Sequence, residues 1–374
     1  MKMLIAGDLV PTRENIDLFS EGYVEHLLGK ELLALWNGVD YRSFNLECAV
    51  TDAAERLLKY GPALVVPAET LRGIRAMNPS VLFLANNHIM DAGPKALAEF
   101  LDTLTAAGIP WIGAGKDAAS ADNHVILGEG EDRVALYACC EHEFTVAGEN
   151  SPGANAVSDR TCDRIRRLSN EAEHVVVIFH GGKEYYRYPS PLLQRRCREF
   201  VDAGAGLVLC QHSHCIGAEE KYKDGTILYG QGNFLFNKKR DEFWRTALVT
   251  RIDTDKGFSV QYLPVVQTEA GTRLANPEEA ERILREMEER SKRIMDPEFV
   301  QRQYAEFSDS LVLSYLYVFA GWNPYMAALD RKLFHGWLIR RHYPKNKLVA
   351  ILNYLTCEAH VEAAAEGIKN LINI

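Results

Sequence analysis

The sequence predicts a mixed α/β sandwich followed by a helical appendage. Short apolar runs, typical of buried strands, alternate with helix-period stretches through the first two thirds of the 374 residues. Consecutive strands follow up to about residue 266, and beyond about residue 275 the pattern is helical. We therefore predict an α/β domain over residues 1–270 and a helical C-terminal region over residues 271–374.

The composition excludes several classes of protein. Apolar residues make up 47% of the chain, enough for a sizeable core, and the formal charge of −9 disfavours a nucleic-acid partner. No stretch reaches the roughly 18–20 apolar residues of a membrane helix, and residues 1–8 are too short for a secretory signal. The eight cysteines show no CxxC spacing. We expect reduced thiols and a cytoplasmic protein, free or peripheral to the membrane.

The predicted elements follow the chain in order. Apolar character and β-branched residues place strands at residues 3–6, 42–47, 81–85, 134–140, 175–179, 207–211, 227–229 and 233–236. Helical periodicity ended by glycine places helices at residues 94–107 and 192–203. Residues 247–252 and 258–266 are predicted to form a hairpin whose turn is Asp255-Lys256-Gly257.

The C-terminal region begins with a strong helix start, Asn276-Pro277-Glu278-Glu279. Its apolar run at residues 311–320 is too short to span a bilayer. Residues 334–347 mix aromatic and basic side chains. They suit either contact with a membrane or a membrane-bound synthase, or a helix packed on the sandwich with its charges in water. Because surface helices commonly carry such charges, the second interpretation is favoured.

Polar residues of metal-ligand type end five of the predicted strands. They are Asp8, Asn45, Glu47, Asn87, His88, His180, His212 and His214. Sites in α/β proteins gather beyond the carboxyl ends of strands, and carboxylates with several imidazoles suit one or two Mn, Fe or Zn ions. Alternatively, each histidine satisfies local backbone groups. Because unpaired polar groups clustered in one place cost free energy, the metal interpretation is favoured for the whole set.

The motifs that hold these residues resemble a known family. The segments are Gly7-Asp8 with Arg13, Asn45-Leu46-Glu47, Asn86-Asn87-His88 with Asp91-Ala92-Gly93, His180-Gly181-Gly182-Lys183-Glu184-Tyr185, Asp202-Ala203-Gly204-Ala205, His212-Ser213-His214 and Tyr229-Gly230-Gln231-Gly232-Asn233-Phe234. In this order they resemble the CapA family of poly-γ-glutamate capsule biosynthesis, a relative of the calcineurin-like metallophosphoesterases. The resemblance implies a four-layer αββα sandwich with a dinuclear site between its sheets.

The resemblance also implies roles for the ligands. Glu47 would bridge two ions, Asp8 and His214 would serve one, and Asn87, His180 and His212 would serve the other. Two departures from the phosphoesterase pattern stand out. Val10 occupies the position of a histidine ligand, as is usual in the CapA family, so that one metal position loses a ligand. Glu47 replaces an aspartate, and its longer arm changes the spacing between the ions.

The expected mechanism is hydrolysis by a water molecule whose pKa a divalent ion lowers to about 7. Asp8 and His88 are the predicted catalytic residues, with His88 stabilising or protonating the leaving group. Predicted substrate-binding residues are Arg13, Lys59, Lys183, Glu184 and Tyr185. For the three bases the alternative is a solvated surface charge, and for Glu184 and Tyr185 it is the orientation of His180. Gly232-Asn233 is interpreted as a turn rather than as a chemical group.

Two functions remain open from the sequence. The first is a metal-dependent hydrolase of a phosphoester, or of an amide in a glutamate-containing or other envelope polymer. The second is a non-catalytic subunit of a capsule-synthesis complex that binds anionic polymer. Both imply an anionic small-molecule or polymer ligand, and a membrane-bound synthase is a candidate partner.

Overall fold

A computed structural model describes residues 1–238, 241–255 and 257–372. The strands in these residues are β1 (Lys2–Leu9), β2 (Tyr41–Leu46), β3 (Ala49–Val50), β4 (Val65–Val66), β5 (Val81–Phe83), β6 (Trp111–Ile112), β7 (Ala114–Gly115), β8 (His124–Leu127), β9 (Val134–Cys140), β10 (Gly153–Ala154), β11 (His174–His180), β12 (Leu207–Gln211), β13 (Glu219–Tyr222), β14 (Gly225–Leu228), β15 (Asn233–Leu235), β16 (Thr246–Asp253), β17 (Ser259–Gln267) and β18 (Thr272–Leu274).

The helices in the same residues are α1 (Ile16–Glu21), α2 (Val24–Leu28), α3 (Lys30–Asn37), α4 (Leu71–Ala76), α5 (Gly93–Ala107), α6 (Ala118–Ala121), α7 (Thr161–Glu171), α8 (Pro191–Asp202), α9 (Glu242–Arg245), α10 (Pro277–Arg293), α11 (Pro297–Phe319), α12 (Pro324–Leu333), α13 (Trp337–His342), α14 (Lys345–Thr356) and α15 (Glu358–Ile372).

Two large sheets form the centre of the sandwich. The first has the order β18-β17-β16-β1-β2-β5-β6, with β15 also paired to β1, and the second has the order β13-β14-β12-β11-β9-β8. The strands β1, β2 and β5 run parallel, as do β9, β11, β12 and β14. Parallel strands end at the same edge of a sheet, so the polar residues that follow them are brought together.

The alternation of side chains along β9 and β11 shows the layers. Leu136 and Ile178 belong to the core shared with the first sheet, whereas Tyr137 and Phe179 belong to a second core that includes residues of α7 and α8. On the first sheet, Trp36 of α3 stacks 5.4 Å from Phe234 of β15, measured between ring centroids. Helices therefore cover the sheets, which confirms the four-layer αββα fold expected from the resemblance.

The hairpin predicted near the end of the sandwich is present as the antiparallel pair β16 and β17. Lys256 of its predicted turn lies outside the described residues. The structure divides the chain into two compact units, Met1–Tyr304 and Ala305–Ile374. The domain boundary near residue 270 stays a prediction, and α10, beyond it, packs on the sandwich through Ile283 and Met287. The predicted start of α10 is confirmed by a capping box between Asn276 and Glu279.

The second unit contains most of α11 and all of α12 to α15. Its small core consists of Leu316, Tyr317, Ala327, Ile339 and Tyr343. Among the described residues, no helix is both long enough and apolar enough to span a bilayer.

Candidate metal centre

The strand ends place the predicted ligands in one buried cluster. Asp8 is the penultimate residue of β1, Glu47 directly follows β2, and His180 is the last residue of β11. His212 and His214 follow β12, and all of these side chains are buried. Parallel pairing within each sheet, and the facing of the two sheets, explains why residues so distant in sequence meet.

A bulge in β1 directs Asp8 into the cluster. The register of β1 against β2 shifts between Ala6 and Asp8. A side chain at Gly7 would collide with the backbone carbonyl of Gly232, so only glycine permits this close approach. Asp8 then accepts hydrogen bonds at Oδ1 from Asn45 Nδ2 (2.8 Å) and at Oδ2 from the backbone N–H of His212 (3.2 Å).

His180 lies at the centre of the first half of the cluster. Its Nε2 is 3.0 Å from Asn87 Oδ1, 3.3 Å from Glu47 Oε1 and 3.2 Å from His212 Nδ1. Its Nδ1 is 3.3 Å from Asn45 Nδ2. Three potential metal-ligand atoms, one each from Asn87, Glu47 and His212, therefore surround Nε2 of His180. Hydrogen bonds alone satisfy this arrangement poorly, because these atoms are mainly acceptors.

His214 forms the second half of the cluster. Its Nδ1 lies 3.6 Å from Asp8 Oδ2 and 4.0 Å from Glu47 Oε2. Two groups of three ligands result, Glu47–His180–His212 and Asp8–Glu47–His214, and within each group the ligand atoms all lie within 4.8 Å of one another. Glu47 belongs to both groups.

The backbone that carries the two histidines is strained. His212 and His214 have φ values of 78° and 55°, in the left-handed region that residues other than glycine rarely adopt. Tyr185, whose N–H donates to the carbonyl of Ser213, has a φ of 61°. Each such residue costs of the order of 1 kcal/mol, and such strain concentrates at functional sites.

Neighbouring carboxylates and histidines shift the pKa values of residues in the cluster. Burial tends to raise the pKa of Asp8, but the proximity of His214 and the charges of His180 and His214 lower it below its ordinary value. Burial opposes protonation of His180 and His214, yet Glu47 and Asp8 raise the pKa of His180 and raise that of His214 to about 9. Burial and the two neighbouring histidines lower the pKa of His212 well below its usual value.

The residues fit a divalent cation. Both carboxylate oxygens of Glu47 are buried and, within the described residues, accept no hydrogen bond. A buried carboxylate without donors is costly unless a charge pairs with it. In the protein alone, protonated His180 and His214 would supply that charge. A cation would replace those protons, since metal ligands bind in their deprotonated forms.

His88 lies beside the cluster in a separate buried network. Its Nδ1 is 2.7 Å from Asp91 Oδ2 and 3.0 Å from Lys59 Nζ, and Lys59 forms an ion pair of 2.5 Å with Asp91. Only 5% of the Lys59 side chain is exposed. The interpretation of Lys59 as a solvated surface charge is therefore wrong, because its ammonium group neutralises a fully buried carboxylate. Its role in substrate binding stays a prediction.

The other predicted substrate-binding residues are more accessible. Arg13 and Lys183 are exposed, and Glu184 is half-buried. Tyr185 is 49% exposed, with its ring 6.3 Å from that of His214 and 6.0 Å from that of Trp244. The charge of Lys183 helps to lower the pKa of His212, which indicates that Lys183 is near the cluster. The substrate-binding roles of these residues stay predictions.

Asn233 contacts His214, a contact that the sequence pattern did not predict. It begins β15 rather than forming a turn, and its register in the sheet is opposite Asp8. Its Oδ1 lies 2.9 Å from His214 Nδ1, and its Nδ2 donates to the carbonyl of Trp244 (3.1 Å). The interpretation as a turn alone is corrected: Asn233 contacts His214, one of the predicted ligands. The signals in the sequence are its place in the motif Tyr229–Phe234 and its position directly before the apolar run 234–236.

Val10 is buried in the core with 2% exposure. It stands where the phosphoesterase pattern has a histidine ligand. Its N–H donates to the carbonyl of Leu235 at 2.9 Å. The side chain contributes packing and no ligand atom to the cluster.

Comparison with known proteins gives consistent matches over this region. The sequence model of the family described as "Bacterial capsule synthesis protein PGA_cap" matches residues 2–238. The chain is 28% identical over 275 residues to "Capsule biosynthesis protein CapA" of Bacillus anthracis, covering 70% of this chain and 66% of that protein. It is 28% identical over 189 residues to "PGA biosynthesis protein CapA" of Bacillus subtilis strain 168, covering 48% and 49%. The matches thus span less than two thirds of each relative.

Among solved structures, a putative 5'-nucleotidase from Staphylococcus aureus resembles the chain with 14% sequence identity and a TM-score of 0.45, over 76% of this chain and 57% of that one.

Proposed function

The chain belongs to the family of bacterial capsule synthesis proteins, and from this membership we propose that it is a metal-dependent hydrolase acting on an anionic polymer of the cell envelope. The bond would be a phosphoester, or an amide of poly-γ-glutamate or a related polymer. The observation that carries the proposal is Glu47, a buried carboxylate shared by two ligand groups and lacking any hydrogen-bond donor among the described residues.

The proposed ligands fall into two sets. Asp8 and His214 would hold one ion, His180, His212 and Asn87 would hold the other, and Glu47 would bridge them. Imidazole-rich sets with carboxylates suit Mn, Fe or Zn. When bound, such an ion polarises a substrate oxygen and lowers the pKa of a water molecule to about 7.

His88 is the proposed proton donor to the leaving group. Both of its partners, Asp91 and Lys59, approach Nδ1. Its Nε2 is therefore the ring nitrogen left to exchange a proton with a substrate. The buried ion pair of Lys59 and Asp91 holds the ring in one orientation, as the partners of catalytic histidines commonly do.

The substrate class is inferred from the relatives and from the rim of the cluster. The two relatives from Bacillus are named for capsule and PGA biosynthesis. Arg13 and Lys183 are exposed and would pair with the anionic groups of such a polymer. Tyr185 would pack against the chain of the polymer beside His214.

Val10 favours a second candidate, a subunit that binds anionic polymer without cleaving it. Because Val10 gives no ligand atom, one ion position has one imidazole fewer than the phosphoesterase pattern requires. A weakly held or missing ion would leave binding intact and abolish turnover.

The test begins with metal analysis of the protein purified without chelators. We expect one or two Mn, Fe or Zn ions per chain, and a loss of metal to background in His180→Ala and His212→Ala with the fold retained by circular dichroism. His174→Ala, at the other end of β11, is the matched control and should keep its metal. Unchanged metal content in the two site variants would contradict the proposal.

Activity separates the two candidates. The metal-loaded protein would be screened against phosphoester substrates and γ-glutamyl amides, with His88→Gln as the variant that keeps the metal. Turnover that falls in His88→Gln supports the hydrolase. Tight binding of poly-γ-glutamate without turnover of either substrate class supports the binding subunit.

A further inference from the structure

Residues 331–357, here called the basic segment, have a charge unlike that of the rest of the chain. The segment contains no Asp or Glu, although the chain has a formal charge of −9. Its cations are Arg331, Lys332, Arg340, Arg341, Lys345 and Lys347. The segment therefore presents a concentrated positive charge within an acidic protein.

Aromatic and basic groups are exposed side by side on α13. Trp337 is 54% exposed, and the guanidinium carbon of Arg341 lies 5.3 Å from the centre of its ring. Arg340 is three residues from Trp337, so it lies on the same side of the helix. An indole next to guanidinium groups is the combination found where proteins meet the headgroup region of a bilayer.

Helix α14 exposes an apolar face. Of its described residues, all but Ile351 are exposed. Leu348, Leu352 and Leu355 are 40%, 60% and 59% exposed. They are spaced four and three residues apart, which places them on one face of the helix. An apolar face of this kind marks an interaction site, because water would otherwise cover it at a cost in free energy.

The charge of the segment decides which partner fits. In a symmetric pair of identical chains, the same patch meets itself, so two basic segments would approach and repel each other. An anionic lipid surface instead attracts the cations and accepts the apolar and aromatic side chains at the boundary of its acyl region. Against the interpretation that the sequence favoured, we propose that the basic segment docks the protein on the surface of an anionic lipid bilayer, with α14 lying along the interface.

The test measures binding of the full chain to vesicles in a flotation assay. The vesicles contain phosphatidylcholine alone, or phosphatidylcholine with about one third phosphatidylglycerol, at low and high salt. We expect binding to the anionic vesicles only, weakened by salt. Absence of binding to the anionic vesicles, or equal binding to both kinds, would overturn the proposal.

Charge-reversal variants locate the interaction. Arg340→Glu combined with Arg341→Glu should lower the partition onto anionic vesicles by about tenfold or more. Lys30→Glu combined with Lys95→Glu changes the net charge equally at two side chains that are 85% and 82% exposed, and should bind as the wild type does. An equal loss in both double variants would mean that net charge, not the segment, governs binding.

Leu352→Ser tests the apolar face without disturbing a core. We expect weaker binding to anionic vesicles, with unchanged helicity and unchanged metal content. If light scattering instead shows a wild-type dimer that Leu352→Ser dissociates, while anionic vesicles do not bind the wild type, a second copy covers this face and the proposal is wrong.

Discussion

Two fully buried carboxylates, one in each unit, are treated in opposite ways by their surroundings. In the second unit, Asp330 accepts hydrogen bonds from Tyr317 Oη (3.0 Å) and from the backbone N–H groups of Leu338 and Ile339 (3.1 Å each). In the first unit, neither oxygen of Glu47 accepts a hydrogen bond from any described residue. Asp330 is satisfied by the fold itself, whereas Glu47 requires a charge that the fold supplies only through protonated histidines.

The same contrast applies to the two regions as a whole. The cluster around Glu47 buries polar groups, and the basic segment exposes apolar ones. Both depart from the usual distribution, in which buried charges are paired and exposed apolar faces are small. For each departure we propose a partner from outside the chain, a cation in the first unit and a lipid surface in the second.

The largest expected effect comes from removing the satisfied carboxylate. Asp330→Ala should destabilise the second unit by about 4 kcal/mol, because it leaves three donors without an acceptor. The metal content should not change. Urea unfolding and metal analysis measure the two quantities on the same preparation.

Glu47→Gln is the opposite case and the matched comparison. It should abolish metal retention and should destabilise the metal-free protein less than Asp330→Ala does, because the charge pairing with protonated His180 and His214 is lost but no hydrogen bond is. If Glu47→Gln destabilised the metal-free protein as much as Asp330→Ala, the contrast between the two carboxylates would be false.

Two glycines sharpen the comparison through packing. Gly7→Ala should cost about 3 kcal/mol, because the added methyl group meets the backbone carbonyl of Gly232. Gly367→Ala, in α15, has open space around it and should stabilise that helix by about 0.5–1 kcal/mol. Unfolding curves give both values. If Gly7→Ala were tolerated as well as Gly367→Ala, the backbone of β1 could move away from the added methyl group, and the predicted clash would be wrong.

Two asparagines separate a role at the site from a role in a helix cap. Asn233→Ala should cost about 2 kcal/mol and weaken metal binding by about 10- to 100-fold, because His214 loses the group that orients it. Asn323 caps α12, and its side chain accepts a hydrogen bond from the N–H of Met326 at 2.9 Å. The Asn323→Ala substitution removes this cap. It should cost about 1 kcal/mol and leave metal affinity unchanged. Calorimetric titration with Mn²⁺ or Zn²⁺ measures the metal affinity of both variants. Equal affinities of Asn233→Ala and Asn323→Ala would contradict the role of Asn233.

The smallest effect is a pH dependence far from the cluster. Arg273 holds the pKa of Glu279 at about 2, below its ordinary 4.5. The stabilisation from this pair is therefore complete above pH 4.5 and is lost as the pH falls through 2. Because the pair is partly exposed, we expect less than about 1 kcal/mol. The stability difference between wild type and Glu279→Gln should shrink over this range, and a constant difference would contradict the assignment.

The residue pattern was sufficient for the mixed α/β sandwich and for the gathering of Asp8, Glu47 and His180, whereas the four layers were expected from the family resemblance. These predictions succeeded because buried parallel strands are recognisable as apolar runs and their carboxyl ends meet at one edge. Local pattern could not reveal the contact of Asn233 with His214, since it depends on β15 pairing with β1. Nor could it reveal that Lys59 is buried, because a lysine is normally exposed and only the approach of Asp91 reverses this.

The pairing of β1 with β15 sets Asp8 opposite Asn233, so the first strand of the chain is completed by one of the last strands of the sandwich. During synthesis, the candidate metal centre cannot be fully assembled until residues beyond 233 have left the ribosome. Under the proposed function, incorporation of the cation would be a late event in maturation. A truncated product that ends before β15 would carry all six proposed ligands and yet lack Asn233, which lies opposite Asp8 and contacts His214.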